Sequence, residues 1–363
     1  MLKDEMNVEK WKNVLRSNVW NGIMPVLKLS YRNLPPHLQR CFAYCGIFPE
    51  DWRIKPDELV YMWMAQGLLR PHEESINTRM EDIGRIYFDD LSSRSFFQML
   101  EHHNGKYYVM HDMIHELAQS VSKEECFRIE RNNVQRIPST VRHLSINTDA
   151  LLQLTSICDL KNLRTLVIFS YNHSIGSDVF KQLRSIRVLD LTRCKMEQLP
   201  KAAGELIHLR YLAFADTLKA VPPSFYRLYY LQVLDVSRSS LPILFPEGMD
   251  KLINLRVLDV PGAFTSQIAR IGKLTSLQRL AVFRTSKKKG RKIVELQNMD
   301  ELRGSLVITN LENVHSMQEA AEAKLNQKEY IKKLTLKWAT LRRREVTMIK
   351  FSGASSRIRI SKI

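Results

Sequence analysis

Long apolar runs are missing from this sequence. No stretch approaches the roughly 20 consecutive apolar residues that span a bilayer, and Met1 is followed by Leu-Lys-Asp-Glu-Met instead of a hydrophobic leader, so neither a membrane span nor a secretory signal is expected. Cysteine is scarce: there are five in 363 residues, an odd number. Cys41 and Cys45 stand one helical turn apart with no metal-partner pattern around them, which points to reduced thiols in the cytosol or nucleus. Acidic residues are in deficit, 38 Asp+Glu against 55 Lys+Arg, leaving a net charge of +17. Arg284 to Ile363 alone holds 19 Lys+Arg and 8 Asp+Glu, clustered at Lys287-Lys288-Lys289, Arg291-Lys292 and Arg342-Arg343-Arg344. Such runs suit nucleic acid or an anionic membrane surface, although a solvated loop is their commoner use.

Several chemical signatures are absent too. No G-x-x-x-x-G-K-[ST] loop occurs, the element whose backbone N–H groups and lysine hold β- and γ-phosphates. No strand ends in paired acids suited to holding Mg²⁺. No Ser or Cys sits in a nucleophile elbow or beside a base, so no catalytic residue and no enzymatic activity are expected. His111 and His115 lie near Glu116 and His102-His103, but the order is not H-E-x-x-H and spacing fixes no third ligand, so no metal site is expected.

What is present is a ladder. Apolar–x–apolar pairs recur at Leu144/Ile146, Leu166/Ile168, Leu189/Leu191, Leu212/Phe214, Leu234/Val236, Leu258/Val260, Leu280/Val282, Leu306/Ile308 and Leu334/Leu336. Their first members are 22, 23, 23, 22, 24, 22, 26 and 28 positions apart. Leu163, Ile186, Leu209, Leu231, Leu255 and Leu277 precede their rungs by three places. L-x-x-L-x-L at a period near 23 is the leucine-rich-repeat signature. Each alternating core reads as a short strand with one buried face, and strands that cannot hide their leucines alone form a continuous core when stacked. Small polar residues after the strand (Cys194, Thr217, Ser239) mark the turn, where a side chain must satisfy backbone groups. Pro200, Pro222 and Pro246 recur on the return path.

The first third reads as helices. One occupies residues 1–20, with Trp11, Leu15, Val19 and Trp20 at helical spacing and Asn21-Gly22 as its stop; a second carries Leu27 to Tyr31. A third, about His37 to Gly46, puts Leu38, Cys41, Phe42 and Cys45 on one face. Lys55-Pro56-Asp57-Glu58 opens a fourth with Pro in its first turn and acids at the positive end of its dipole; it carries Leu59, Met62, Trp63, Gln66 and Leu68. A fifth covers about Thr78 to Ser93 with Ile83, Ile86, Tyr87 and Leu91 inward. Phe96–Leu100 and Lys106–Met110 then form a hairpin around His102-His103-Asn104-Gly105, and a helix follows from Met113 to Ser122. Helices followed by a hairpin spell a winged helix.

The run LKLSYRNLPPHLQRCFAYCGIFPEDWRIKPDELVYMWMAQGLL at Leu27–Leu69 resembles the winged-helix part of the NB-ARC module of plant nucleotide-binding leucine-rich-repeat immune receptors of the coiled-coil class. YYVMHDMIHELAQ at Tyr107–Gln119 is similar to that family's MHD motif, placed at Met110, His111 and Asp112. LRGSLVITNLENV at Leu302–Val314 resembles one of its repeat segments. The resemblance covers about residues 5 to 338 and implies an α/β protein: residues 1–20 the helical end of a preceding NB-ARC subdomain, 21–132 the winged helix, and 133–338 a repeat horseshoe with parallel strands on its concave face; the last 25 residues do not fit it, and 339–363 read as an irregular basic tail. It also implies a partial receptor without the phosphate-binding core, whose repeats recognise a protein (a pathogen effector, a guarded host protein, or the NB-ARC surface itself). No cofactor is expected for this chain alone, whereas ADP and ATP serve the full-length family. There His111 would contact the β-phosphate of ADP, with Met110 and Asp112 beside it and Asp112 capping the next helix; without that core, His111 is equally a hairpin-end residue.

The outward strand positions form the candidate partner surface: Asp190, Tyr211, Asp235, Asp259, Arg279 and Phe283. Asp235 and Asp259 are expected to be close neighbours, an arrangement suited to a basic partner or simply to keeping the face soluble. Two rival readings remain open. One is a winged-helix protein that binds nucleic acid, favoured by a pI near 9.7 and disfavoured by Asp57 and Glu58 on the helix that would read it. The other is a repeat scaffold competing with a relative for its partner.

Overall fold

A computed structural model describes residues 19–70, 78–102, 105–130, 137–148, 159–170, 175–214, 217–239, 243–245, 247–260, 268–338, 345–349 and 361–362. The chain divides into two compact units, Met1–Arg128 and Ile129–Ile363. The expected helix over residues 1–20 lies almost wholly outside the described residues.

In the first unit, α1 (Val19–Arg32) runs through Asn21-Gly22, where a stop was expected, and on through Pro25. Neither residue forbids a helix outright; each only lowers its stability, and packing against a neighbour can override that cost. Helix α2 (Pro36–Tyr44) has Pro at its first position and passes into a 3₁₀ turn, Cys45–Ile47. Leu38, Cys41, Phe42 and Cys45 are all buried, as their spacing predicts. Helix α3 (Pro56–Gln66) starts on Pro56 with Asp57 and Glu58 in its first turn and ends on Gly67 at φ 77°, the left-handed stop that glycine adopts without steric cost. Leu69 fills the core beyond that stop, while Leu68 is only half-buried. Helix α4 (Met80–Ser93) buries Ile83, Tyr87 and Leu91, but Ile86 is 60% exposed and Phe88 takes the inward place. Phe88 stacks on Phe97 at 5.0 Å between centroids and meets Tyr108 edge-on at 4.8 Å. Antiparallel β1 (Gln98–His102) and β2 (Gly105–Val109) form the hairpin, with Gly105 at φ 117°. Helix α5 (Asp112–Ser122) follows directly.

The second unit is the ladder folded. Strand β3 (Cys126–Ile129), in which the two units join along the chain, is followed by β4 (His143–Ile146), β5 (Thr165–Ile168), β6 (Val188–Leu191), β7 (Tyr211–Phe214), β8 (Val233–Asp235), β9 (Val257–Asp259) and β10 (Arg279–Leu280). They lie in sheet order β10-β9-β8-β7-β6-β5-β4-β3. From β4 to β10 every pairing is parallel, with rung against rung: Leu144–Leu166–Leu189–Leu212–Leu234–Leu258–Leu280. All seven leucines are at most 2% exposed, and at roughly 1.5–3 kcal/mol per buried aliphatic side chain this column is a main source of the unit's cohesion. Behind it, 3₁₀ turns at Lys201–Glu205, Pro223–Arg227, Met249–Lys251, Ile271–Lys273 and Ile293–Leu296 close successive repeats. Helix α6 (Ser177–Gln182) does so for an earlier repeat. The polar turn residue performs as expected: the Thr217 hydroxyl accepts from the Met196 amide at 2.9 Å and lies 3.2 Å from its carbonyl.

The ladder is not one sheet throughout. At Ala281 the chain bends, and β11 (Val282–Arg284) joins a second sheet with β12 (Gly304–Thr309) and β13 (Ile331–Lys337). There Phe283, not Val282, pairs with Ile308. Phe283 is therefore buried and Val282 half-buried, the reverse of the expected rung. A one-residue slip of this kind flips every side chain to the other face. Between β12 and β13 lies helix α7 (Met317–Glu322). The tail is also not wholly irregular: β14 (Glu345–Ile349) pairs antiparallel with β13, and β15 (Ser361–Lys362) with β14. β14 thus occupies the edge where the parallel ladder would otherwise leave backbone groups unpaired.

Candidate functional site

The first unit presents the Met110-His111-Asp112 corner at the start of α5. Met110 is 3% exposed and anchors the end of the hairpin, whereas His111 and Asp112 are both exposed. His111, with an extended backbone at φ −61° and ψ 147°, is the N-cap: its Nδ1 accepts from the Met113 amide at a long 3.5 Å. Asp112, expected to be the cap, is instead the first helical residue, where its carboxylate sits at the positive end of the helix dipole. Capping requires non-helical backbone one position earlier, and only His111 has it.

Behind that corner α5 is held firmly. Arg128 donates to the Phe48 carbonyl at 2.8 Å and to His115 Nε2 at 2.5 Å. With its amide oxygen turned inward, Gln119 accepts from Arg128 Nη1 at 2.9 Å and lies 3.2 Å from His115 Nδ1, while His115 Nε2 also lies 2.9 Å from the Phe48 carbonyl. His115 is 4% exposed, so it does not converge on the exposed His111, and no group of three potential metal ligands exists among the described residues. One turn further on, Ser122 crowds Gly46, leaving no room there for a Cβ. Sequence reasoning missed this lock. Arg128 lies 80 residues from Phe48, and nothing local pairs them.

The strand face of the second unit divides the six partner-surface residues. Asp190 and Asp235 are half-buried, and each first serves its own turn: Asp190 Oδ1 takes the Thr192 amide at 3.0 Å and hydroxyl at 2.7 Å, and Asp235 Oδ1 takes the Ser237 amide at 2.9 Å. Asp235 and Asp259 are direct cross-strand partners, as expected, and their repulsion is relieved by Arg279, whose guanidinium lies 3.3 Å from Asp259. Arg279 remains exposed. Tyr211 and Phe283 leave the surface. Tyr211, in register between Val188 and Val233, is 2% exposed and belongs to a buried column; Phe283 has turned inward at the slip.

A row of cations beside these residues was not anticipated. Arg142, Arg164, Arg187, Arg210 and Arg256 each occupy the place just before the first residue of β4, β5, β6, β7 and β9; Gln232 and Gln278 hold that place before β8 and β10. Their crowding is felt electrostatically. Burial, with help from Arg210, pulls the Arg187 guanidinium below its usual range. Burial and then Arg164, Arg142 and Arg187 push the His143 imidazole down to about 3. The signal was in the sequence, since four of these arginines directly follow the inward residues Leu163, Ile186, Leu209 and Leu255.

Comparison with known proteins places both halves. Residues 47–118 match the winged helix domain of disease resistance proteins, and residues 162–357 match a leucine-rich repeat region. A putative disease resistance protein of Arabidopsis thaliana is 38% identical over 353 residues, covering 93% of this chain and 25% of its own length. The putative disease resistance protein RGA1 of Solanum bulbocastanum is 34% identical, covering 93% of this chain and 33% of its own. The chain thus spans about a quarter to a third of the length of these relatives. Among solved structures, an internalin of Listeria monocytogenes covers 53% of this chain and 67% of its own at 16% identity and a TM-score of 0.33. A disease-resistance winged helix followed by stacked leucine repeats, in a chain related over nine-tenths of its length to plant resistance proteins, belongs to the plant leucine-rich-repeat disease resistance family.

Proposed function

We propose that this chain works by binding and not by catalysis, as the sensing and relay part of an immune receptor acting in the cytosol or nucleus. Its repeats recognise a protein, either a pathogen effector or a guarded host protein, and bind the receptor's own nucleotide-binding region in the resting state. Its winged helix relays the outcome to an ADP/ATP switch. The supporting observation is the placing of His111: exposed at the N-terminus of an 11-residue helix whose inner face is fixed by His115, Gln119 and Arg128. A helix N-terminus offers unpaired N–H groups and a favourable dipole to a phosphate, and a rigid helix holds its first residue in one place. The strand face supports protein recognition, with carboxylates and guanidiniums distributed over the seven strands β4 to β10. A nucleic-acid reading draws less support: α3 buries Leu59, Val60 and every residue from Met62 to Gln66, leaving little of it to enter a groove.

The test is retention of the chain on the immobilised nucleotide-binding domain of a relative, loaded with ADP or ATP. Expected is stronger retention with ADP, reduced about 10- to 100-fold by His111→Ala, the value of one charge-assisted hydrogen bond. Retention independent of nucleotide and unchanged in the variant would overturn the relay. By itself the chain should show no ADP binding in calorimetry.

A further inference from the structure

The lysine-rich segment at 287–292 reads in sequence as a solvated loop, and the structure gives it a definite place. The Ser286 amide bonds to the Arg291 carbonyl at 2.9 Å, Arg291 to Lys288 at 3.2 Å, and the Lys288 amide to the Ser286 hydroxyl at 3.3 Å, closing a tight turn. Its tip is pinned to the preceding repeat: the Gly290 carbonyl accepts from the Arg270 amide at 2.6 Å. Gly290 is left-handed at φ 76°, and a Cβ there would meet the Arg270 backbone at 3.2 Å, so this close approach depends on glycine. The result is a cavity of about 780 Å³ at the turn side of the repeats, walled by Lys289 and Arg291 on one side and by Arg270 and Lys273 on another.

The cavity is basic but not uniformly so. Beneath it the buried Asp250 holds Arg270 at 3.2 Å and Lys273 at 3.1 Å, orienting two cations with one carboxylate. Glu247 and Glu295 also line it, and Glu295 Oε2 is steadied by the Gly272 amide at 3.1 Å. Four cations suit phosphate oxygens, which only accept hydrogen bonds. Two carboxylates in the same wall suit hydroxyls, which donate. A volume within the range of about 300–1,000 Å³ typical of small-molecule sites fits one sugar-sized ring. We propose that this cavity binds a multiply phosphorylated polyol, as a free molecule or as the headgroup of a lipid. The site is separate from the strand face and from His111, so it stands or falls independently of the relay.

Calorimetry of the full chain with inositol trisphosphate, which keeps free hydroxyls beside its phosphates, tests it. One-to-one binding is expected, weakened about tenfold or more by Lys289→Glu, the loss of a charge-assisted contact. Lys287→Glu makes the same charge change in the same turn but off the cavity wall, so it should cost less than about threefold, as exposed charges do. Lys289 is exposed, and unchanged thermal melts will confirm that its variant folds. Equal losses in both variants, displacement by inorganic sulfate as effective as by the polyol, or no binding at all would overturn the site. Sedimentation with phosphatidylcholine vesicles that carry phosphatidylinositol bisphosphate, and not with vesicles lacking it, assigns the lipid source; calorimetric binding without sedimentation assigns the free one.

Discussion

Gly204→Ala is the most direct test of how the repeats stack. Gly204 lies in the 3₁₀ turn Lys201–Glu205 and faces Ser224 in the corresponding turn of the next repeat. A Cβ built there falls 2.5 Å from both the Ser224 carbonyl oxygen and the Ser224 Cβ, where 3.4 Å is an ordinary contact. Rotating the Ser224 hydroxyl cannot relieve this, because the carbonyl is backbone. The two turns must part by about 0.9 Å, stretching the 2.9 Å bond from Ser224 Oγ to the Lys201 carbonyl. Overpacking of this kind costs about 1–3 kcal/mol, and because a repeat contacts only its neighbours there is no third partner to share the strain. The control is Gly176→Ala. Gly176 sits before α6 at φ −70° and ψ 157°, a conformation open to alanine, with nothing within 4 Å of an added Cβ. A smaller unfolded-state entropy and a slightly poorer cap nearly cancel there, so the change should stay within about 0.5 kcal/mol. Urea unfolding followed by far-ultraviolet circular dichroism reads both. If Gly204→Ala costs no more than Gly176→Ala, the turns are not packed as described.

Three further outcomes follow from named contacts. Gly46→Ala places a methyl against the Ser122 hydroxyl and 3.0 Å from the Ala118 carbonyl; about 1–3 kcal/mol of destabilisation is expected, and hydrogen exchange in α5 should accelerate, whereas unchanged exchange would mean α5 is held elsewhere. His143 keeps its folded-state value near 3 against an ordinary 6.5. The unfolded chain therefore binds the extra proton first, so the contribution of His143 is complete above pH 6.5 and is lost as pH falls from there toward 3, by at most about 1.4 kcal/mol per unit. His143→Gln should remove one proton's worth of that slope in urea titrations between pH 6.5 and 4; identical slopes would contradict the burial. Lys328 is 0% exposed, with its ammonium 3.1 Å from the Gln297 carbonyl and 2.9 Å from the largely exposed Asp300. Lys328→Met keeps the packed stem and leaves no buried charge, so about 1 kcal/mol or less should be lost, while Lys328→Ala should cost about 2–4 kcal/mol through the cavity it leaves; equal effects would show that charge, not volume, matters there.

The repeat register was legible because a period-2 pattern recurring every 22 to 24 residues permits one arrangement, and each Leu-to-Leu pairing from β4 to β10 follows it. The exceptions have local causes. Tyr211 carries a hydroxyl and alternates outward, so it reads as surface, but cross-strand neighbours Val188 and Val233 make its column apolar. At Phe283 an aromatic next to a valine left two registers open, and pairing with Ile308 selected the bulkier residue for the core. Ile86 and Phe88 show the same ambiguity on a helix, where a rotation of the face by part of a turn exchanges them. The MHD corner was legible as a motif but its capping was not, since whether His111 or Asp112 leaves the helix depends on one ψ angle. The lock formed by Arg128, His115 and Phe48 is non-local and had no local signature.

The cavity arises where the repeats lengthen. From β4 to β10 the rungs are 22 to 24 residues apart, and then the intervals grow to 26 and 28. Strand spacing is fixed by hydrogen bonding at about 4.8 Å, so the added residues cannot lengthen the sheet. They must leave on the connecting path. In the first long interval they form the turn Ser286–Arg291, and in the second they include helix α7. An inserted turn displaced from a row of closely packed 3₁₀ segments leaves a gap beside its neighbours unless its side chains fill it. Lys289 and Arg291 cannot, because taking their charges out of water costs more than leaving the gap wet. A basic-walled opening is therefore the expected consequence of lengthening a repeat with lysines, and a chain whose 287–292 segment is replaced by Gly and Ser should keep its stability to within about 0.5 kcal/mol in urea melts, since that segment contributes no leucine to the column. A larger loss would show that the turn is structural and that the opening beside it is incidental.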